Sequence, residues 1–219
     1  MKPLLLAQNI TKSFQLEEKT IDVLKDISLV INRAEFVAIM GKSGSGKSTL
    51  LSILAGLDVA DSGCVNLDGI DLTLLSEDEL ALKRQTDISF VFQSFHLIPT
   101  LTVAENIGFP LKLSGKFLQD RVDDLLQKVA LTQRSGSFPH QLSGGEKQRT
   151  AIARALITQP KILFADEPTG NLDEKNAKSI MQLLINLQAE FNTALVVVTH
   201  DAAIAKLANR TIHIVDGTI

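Results

Sequence analysis

Gly41-Lys42-Ser43-Gly44-Ser45-Gly46-Lys47-Ser48 is the stretch of this chain that decides its fold. It fits the pattern G-x-x-x-x-G-K-[ST], follows the apolar run at residues 36–40, and leads through Thr49 into a helix-like segment. A strand, a glycine loop and a helix in this order can surround phosphates, because the loop turns its N–H groups inward and the helix N-terminus adds positive potential. We expect Lys47 to reach the β- and γ-phosphates and Ser48 to bind Mg²⁺. An ordinary glycine turn is the alternative.

The composition limits the other possibilities. The chain has 219 residues, of which 45% are hydrophobic, so it can form one substantial core. Its formal net charge of −3 argues against a broad basic surface, and no nucleic acid is expected as a partner. The lone Cys64 cannot form an internal disulfide, and no apolar run is long enough to span a bilayer. We expect a cytosolic protein with one compact domain.

Sequence patterns predict an α/β fold. Residues 1–36 contain apolar runs interrupted by Glu17-Glu18-Lys19, which predicts antiparallel strands joined by an exposed turn. Ser76-Glu77-Asp78-Glu79 has the spacing of a helix capping box, and helical periodicity continues through the middle third. Residues 161–165 and 194–198 read as buried strands with an amphipathic helix between them. This β-α-β order predicts a parallel sheet.

Two adjacent carboxylates end the first of these buried strands. Asp166 is placed to hold Mg²⁺ through its hydration shell, and Glu167 could polarise an attacking water molecule. His200 follows the second strand, so it should emerge at the same edge and could hydrogen-bond the γ-phosphate or the water. The alternatives are a strand that simply ends in solvated acids and a structural histidine.

Ser143-Gly144-Gly145 predicts a second anion site. The segment precedes an apolar-periodic stretch at residues 151–157, so it should form a helix N-terminus, where anions bind well. Local spacing does not require this segment to reach the phosphates bound by the glycine loop, and a partner chain is the obvious user. The alternative is that Ser143 is merely an N-cap followed by small residues.

Together these motifs resemble those of the ATPase subunit of an ABC transporter, over nearly all of residues 4–219. The matching segments are residues 41–48 as the Walker A loop, Gln93 as the Q-loop, residues 142–148 as the signature, residues 162–167 as the Walker B strand, Asn171-Leu172-Asp173 as the D-loop and His200 as the switch histidine. The resemblance implies a single nucleotide-binding domain over residues 1–219. It implies a P-loop NTPase (RecA-like) core with a parallel sheet, an N-terminal antiparallel β subdomain and a helical signature subdomain at about residues 94–158.

The resemblance also implies a role for each site residue. ATP would be bound by Phe14, Gly41, Lys42, Ser43, Gly44, Ser45, Gly46, Lys47, Ser48, Thr49 and Gln93. A second copy would contribute Ser143, Gly144, Gly145 and Asp173, while Ser48, Gln93 and Asp166 would hold Mg²⁺. Glu167, His200 and Lys47 would be catalytic.

Three positions have an alternative interpretation or depart from the family pattern. Phe14 stands where the family usually places an aromatic residue that stacks on adenine, commonly Tyr; a buried core Phe is the alternative. Gln93 could be a plain polar residue at a strand end. Ala34 in Arg33-Ala34-Glu35 replaces the Gly that is common in this turn, and the side chain would strain the turn without touching the chemistry.

The resemblance implies a head-to-tail dimer with ATP between the two copies, docked on a membrane permease at the cytoplasmic face of the inner membrane. Residues 91–102 and 166–173 look like the lipoprotein-releasing and macrolide-exporting group, most closely its YbbA-type ATPases. We therefore expect export, or extraction of a substrate from the membrane. A cell-division ATPase is the main alternative. A soluble ABC ATPase acting on DNA or ribosomes and a regulator that binds ATP without turnover are less well supported.

Overall fold

Two sheets form the framework of the chain, as a computed structural model describes it over residues 2–16 and 19–219, without the side chain of Leu16. The strands are β1 (Leu5–Leu16), β2 (Lys19–Ile31), β3 (Phe36–Met40), β4 (Ser62–Leu67), β5 (Ile70–Asp71), β6 (Ile88–Phe92), β7 (Ile162–Asp166), β8 (Ala194–Val198) and β9 (Arg210–His213). The helices are α1 (Lys47–Leu54), α2 (Glu77–Thr86), α3 (Val103–Leu113), α4 (Gln119–Lys128), α5 (Gly144–Leu156), α6 (Glu174–Glu190) and α7 (Ala202–Ala205).

The first sheet is antiparallel, with strand order β2-β1-β4-β5. Leu5 pairs with Ile31 of β2 on one side and with Leu67 of β4 on the other. The prediction of antiparallel strands in the first 36 residues is therefore confirmed, although Glu17 and Glu18 of the expected turn lie outside the described residues. The sheet also extends beyond the N-terminal segment, because β4 and β5 follow the glycine loop in the chain and still join this sheet.

The second sheet is parallel, with strand order β6-β7-β8-β3-β9, as the β-α-β pattern predicts. Successive side chains along its strands point alternately into two hydrophobic cores. Ile162 and Phe164 of β7 face the core shared with α1 and the antiparallel sheet, whereas Leu163 and Ala165 face the core shared with helices α3 to α6. Each fully buried large side chain contributes about 1.5–3 kcal/mol, so both cores hold this strand in one register.

The helices α3, α4 and α5 lie between β6 and β7 in the chain, where the helical subdomain was expected; its boundaries at about 94–158 stay a prediction. The capping box predicted at the start of α2 is present, since Ser76 and Glu79 bond reciprocally. None of the described helices combines the length and apolar character required to cross a membrane.

Ala34 adopts a left-handed backbone conformation, with φ at 53°, as the missing glycine in this turn suggested. A residue with a Cβ atom pays about 1–2 kcal/mol for this conformation, whereas glycine adopts it freely. The turn is nevertheless anchored, because the Gln188 side chain donates a hydrogen bond to the Ala34 carbonyl at 3.0 Å.

We predict that Ala34→Gly raises the free energy of unfolding by about 0.5–1 kcal/mol, because the relief of strain exceeds the greater entropy of glycine in the unfolded chain. Urea unfolding followed by circular dichroism measures the change. Ala81→Gly, at an exposed position inside α2, is the control and should lose about 0.5–1 kcal/mol. Destabilisation by both substitutions would contradict the prediction.

Charged side chains link the turn between β4 and β5 to the parallel sheet. Asp68 occupies the left-handed turn at φ 53° and accepts a hydrogen bond from the Lys161 ammonium at 2.8 Å. Arg33 also pairs with Asp68, and Lys161 approaches Asp87 at 3.5 Å. The bond from Lys161 lowers the pKa of Asp68 below its usual value. The stability from Asp68 is therefore present above the ordinary aspartate pKa and is lost as the pH falls.

We predict that Asp68→Asn lowers the free energy of unfolding by about 0.5–1 kcal/mol at pH 7, since it removes the charge while Asn keeps the turn conformation. The difference from wild type should shrink as the pH falls below about 4, because the carboxyl of the unfolded chain takes up a proton there, and it should vanish below the lowered native pKa. Thermal unfolding at pH 3–8 measures it. Asp22→Asn is the control, because Asp22 is exposed and its side chain has no hydrogen bond among the described residues. A pH-independent difference would contradict the role of the charge.

Candidate functional site

The carboxyl ends of four parallel strands meet at one edge of the sheet. Asp166 at the end of β7 pairs with Phe92 of β6 and with Val198 of β8, and Val198 also pairs with Ile39 of β3. The residues that follow these strands therefore emerge side by side. This register brings together the glycine loop, Gln93, the Asp166-Glu167 pair and His200, as the sequence predicted for strand ends of a parallel sheet.

The glycine loop wraps around the start of α1. Gly46 caps the helix at φ 98°, and a Cβ atom there would lie 2.7 Å from the Val23 carbonyl oxygen of β2, so this position requires glycine. The buried Lys47 ammonium donates to the carbonyls of Gly41 at 3.0 Å and Lys42 at 2.8 Å. The Ser45 hydroxyl is buried and has no hydrogen-bond partner in the described chain. An unpartnered hydroxyl and a cation thus converge in the loop, which suits an anion.

A cavity of about 500 Å³ lies over this loop. Its lining includes Gly41, Ser43, Gly44, Gly46, Lys47, Ser48, Thr49, Gln93, Asp166, Glu167 and His200. A larger depression of about 680 Å³ adjoins Glu167 and His200 on the side of α6 and α7, but its carboxylates Glu174 and Asp201 make it a poor place for phosphates. The cavity over the glycine loop is therefore the candidate phosphate site, and it collects most of the residues predicted to bind ATP.

Asp166 has the electrostatics of a cation ligand. Burial raises the pKa of its carboxyl; the Ser48 hydrogen bond and the Lys47 charge lower it, and the neighbouring Glu167 raises it. Among the described residues no group of three or more His, Cys, Asp or Glu side chains could hold a metal. Mg²⁺ commonly uses one or two carboxylates together with phosphate oxygens and water, so Asp166, Ser48 and Gln93 fit this ion.

Glu167 and His200 form a pair beside Asp166. The His200 Nδ1 atom lies 3.0 Å from Glu167 Oε1, with the histidine side chain 71% exposed and the glutamate side chain 26% exposed. Glu167 has φ at 43°, and its N–H donates to the Val198 carbonyl at 3.0 Å. A non-glycine residue in this conformation stores strain, which concentrates at functional sites. The arrangement directs one carboxylate into the cavity and holds it with an imidazole.

Gln93 is bound to the D-loop of the same chain. Its side chain donates to Asn171 Oδ1 at 3.4 Å, and Asn171 Nδ2 donates to the Gln93 carbonyl at 3.0 Å. A Cβ atom on Gly170 would lie 2.7 Å from Gln93 Nε2, so glycine allows the amide to pack against this turn. Gln93 therefore lies at the cavity with a defined orientation, and its role at Mg²⁺ stays a prediction.

Ser143 is the N-cap of α5, where Glu146 completes a capping box. The Ser143 hydroxyl donates to Glu146 at 2.8 Å, and Arg134 pairs with Glu146 at 3.0 Å. Gly144 packs near Leu172, and Asp173 caps α6. The segment Ser143-Gly144-Gly145 and Asp173 do not line the cavity over the glycine loop, so the single chain does not bring them to that site.

Phe14 lies on the outer surface of the antiparallel sheet. Phe14 is 41% exposed, and the Lys12 ammonium lies 5.3 Å from the centroid of its ring. The alternative of a buried core Phe is therefore wrong. Phe14 is absent from the lining of the phosphate cavity, but it pairs with Ile21, two residues before Val23, which lines that cavity. Adenine stacking by Phe14 stays a prediction.

A family model described as ABC transporter matches residues 24–170. The chain belongs to the ABC transporter family.

Two curated relatives differ in how much of their own length this chain covers. It is 49% identical to the macrolide export ATP-binding/permease protein MacB of Bdellovibrio bacteriovorus over 213 residues, 97% of this chain but only 33% of that protein. It is 45% identical to the lipoprotein-releasing system ATP-binding protein LolD of Bacteroides fragilis, covering 97% of this chain and 98% of LolD.

A solved structure of the ATP-binding cassette MJ0796, a dimer in a post-hydrolysis state bound to ADP and phosphate, has the same fold. The TM-score is 0.89 at 42% identity, with 98% of this chain and 96% of that chain covered. The predicted fold class and the predicted resemblance to LolD and MacB proteins are confirmed, and the chain is an ATP-binding ABC ATPase. The likeness to YbbA-type ATPases and the roles of the individual site residues stay predictions.

Sequence reasoning missed two contacts around Gln93. Asn171 was included in the D-loop but received no role, although it bonds to both ends of Gln93. Arg154 of α5 was not considered, and its guanidinium reaches the backbone of Phe95 and His96. An arginine inside a largely apolar helical stretch was the available signal, but its partners are distant in sequence.

We predict that Asp166→Asn stabilises the nucleotide-free protein while removing a candidate Mg²⁺ ligand. Burial raises the pKa of Asp166 in the native state, so the free energy of unfolding falls as the pH rises from the ordinary aspartate pKa through this raised pKa. At pH 7 the charged carboxylate therefore destabilises the fold. The gain should be at most about 1 kcal/mol, or about 2–4 °C in Tm, because the carboxylate keeps part of its hydration. Differential scanning fluorimetry in EDTA at pH 4–8 measures it.

The matched control is Asp87→Asn. Asp87 lies at the opposite end of the sheet, and Lys83 at 3.0 Å and Lys161 at 3.5 Å offset its charge. This variant should lower Tm at pH 7. A lower Tm for Asp166→Asn at pH 7 would show that the carboxylate is stabilising in the native state and would contradict the prediction.

Proposed function

We propose that this chain hydrolyses ATP as one half of a head-to-tail dimer and drives a membrane permease that exports a substrate or extracts one from the membrane. The observation that carries the proposal is the convergence of Lys47, Glu167 and His200 on one cavity, while Ser143 caps a helix outside it. One chain then supplies the reacting groups and a second chain supplies the remaining anion site.

The reaction follows from the positions of these groups. The loop N–H groups and Lys47 bind the β- and γ-phosphates and stabilise the charge of the transferring phosphoryl group. The Glu167 carboxylate orients a water molecule and accepts its proton as the water oxygen attacks the γ-phosphorus. His200, 3.0 Å from Glu167, fixes the carboxylate and lies close enough to the cavity to contact the γ-phosphate. ADP and phosphate are the products.

Mg²⁺ is the ion that suits the donor set of this cavity. Ser48, Gln93 and Asp166 would hold it, and the bound ion would neutralise charge on the β- and γ-phosphates. The pKa of Asp166, raised by burial, is consistent with a carboxylate placed to meet a cation, because a nearby cation favours its charged form.

A second copy completes the site in this proposal. Ser143-Gly144-Gly145 starts α5 with two residues that have no side chain to block an approaching phosphate. The Asp173 N-cap lies near this end of α5, since Asn176, which donates to Asp173, also lies close to Gly145. The dimeric MJ0796 structures supply a precedent for cassettes of this fold.

The membrane partner is proposed from the relatives. MacB joins an ATP-binding part to a permease in one chain, and this chain matches 33% of its length, so we infer that the membrane partner is a permease. LolD belongs to a lipoprotein-releasing system. We place the ATPase on the cytoplasmic face of the inner membrane, where ATP is present. These names favour export or extraction over the cell-division alternative.

We predict that Glu167→Gln binds Mg-ATP but hydrolyses it at least about 100-fold more slowly, since it loses the group that accepts the proton of water. The trapped ATP should join two copies, doubling the mass in solution. Light scattering after size exclusion, with and without Mg-ATP, measures the mass, and phosphate release measures turnover.

Two variants make this test specific. Glu167→Gln combined with Ser143→Arg should bind ATP and remain monomeric, because the new side chain blocks the second anion site. Glu190→Gln, an exposed substitution of the same type at the end of α6, should keep wild-type turnover. Wild-type turnover by Glu167→Gln would overturn the catalytic assignment, whereas an ATP-bound monomer would overturn dimerisation by this chain alone.

A further inference from the structure

One arginine of α5 holds the loop that follows Gln93. Arg154 Nη1 donates to the His96 carbonyl at 2.6 Å, and Nη2 donates to the Phe95 carbonyl at 3.0 Å. A planar guanidinium can make both bonds at once, which fixes the direction as well as the distance of its partner. The loop and α5 are therefore joined by a two-point contact.

The two carbonyls belong to consecutive residues in left-handed conformations. Phe95 has φ at 57° and His96 has φ at 47°, and neither is glycine. Such conformations are unfavourable for residues with a side chain and persist only where the surroundings hold them. Asn106 of α3 makes four hydrogen bonds to residues 98–102, but these lie farther along the loop. Arg154 therefore supplies the side-chain bonds to the two strained residues themselves.

The surroundings of Arg154 indicate that these bonds are specific. Burial lowers the pKa of its guanidinium, and no carboxylate of the described chain pairs with it within salt-bridge distance. A partly desolvated cation without a counter-charge is unfavourable unless hydrogen bonds satisfy it. An apolar side chain would pack here with a lower desolvation cost. The feature that arginine adds is the pair of hydrogen bonds to the two carbonyls.

Helix α5 connects this contact to the Ser143 segment. Ser143 caps the first turn and Arg154 lies in the last turn, about 16 Å away at the rise of an α-helix. At the first turn, Leu172 packs near Gly144, and its neighbour Asn171 bonds to Gln93. The Gln93 loop is thus tied to both ends of a single rigid helix.

We propose that Arg154 is a positioning residue for ATP hydrolysis, which holds the Gln93 loop against α5 so that the Gln93 amide lies at the phosphate cavity. Arg154 does not line that cavity, so it acts through the loop. The inference rests on the proposed role of Gln93 at Mg²⁺.

A double-mutant cycle tests the inference. Arg154→Gln should lower kcat by about 10–100-fold, because a small displacement of Gln93 spoils the geometry, while KM for ATP stays within about 2-fold because the glycine loop is untouched. In the Gln93→Ala background the same substitution should change kcat by less than about 2-fold, since the positioned group is already gone. Single-turnover hydrolysis of Mg-ATP keeps slow variants measurable.

Two further variants separate positioning from folding. Arg154→Lys keeps the charge and one donor, so kcat should recover to within about 3–10-fold of wild type. Arg84→Gln is the matched control: Arg84 also donates to a backbone carbonyl, that of Gly56 at 2.5 Å, and lines the same surface groove as Arg154, but it does not contact the Gln93 loop. Its kcat should stay within about 2-fold of wild type.

The outcomes distinguish the inference from the proposed function. Wild-type kcat for Gln93→Ala would overturn the role of Gln93 and the inference with it. A reduced kcat for Gln93→Ala, with the full loss from Arg154→Gln repeated in that background, would overturn the inference alone. Equal losses from Arg84→Gln and Arg154→Gln would also overturn it. If Arg154→Gln does not fold, the cycle with Arg154→Lys decides between these results.

Discussion

The register of the parallel strands is the constraint on which the rest of the structure depends. Asp166 pairs with Phe92 and Val198, and this row sets where the edge that carries the candidate site begins. A shift of one residue would turn every side chain of β7 to the opposite face. Phe164 would then leave the core next to α1, and Leu163 would leave the core next to the helices. The apolar interior of the strands therefore fixes the position of the charged groups at their ends.

Three residues at this edge hold strained backbone conformations. Glu167, Phe95 and His96 all have positive φ. Glycine would remove the strain at Glu167 but would also remove the carboxylate that bonds to His200. The turn after β4 reaches similar conformations with Asp68 and Gly69, residues that tolerate them. The turn after β4 therefore uses permissive residues, whereas the left-handed position after β7 keeps the carboxylate that bonds to His200.

Short sequence motifs predicted those features of the fold that depend on neighbouring residues. The glycine loop, the capping box at Ser76 and the strained Ala34 each depend on a few neighbouring residues, and the structure contains all three. Pairings between distant segments were not predictable in the same way. β4 joins the N-terminal sheet because Val65 and Leu67 fill its core, and a six-residue strand carries no sign of its partner. The bonds of Asn171 and Arg154 to the Gln93 loop were missed for the same reason.

The N-terminus of α5 explains why a serine and two glycines suit an anion from outside the chain. Glu146 already accepts hydrogen bonds from the Ser143 N–H and hydroxyl, and Arg134 offsets its charge. Within the described chain the N–H groups of Gly144 and Gly145 have no acceptor, as expected for the first turn of a helix. Without Cβ atoms these two residues leave the approach open. Because they lie outside the cavity over the chain's own glycine loop, these N–H groups are available to the phosphate of a second copy in the dimer that we propose.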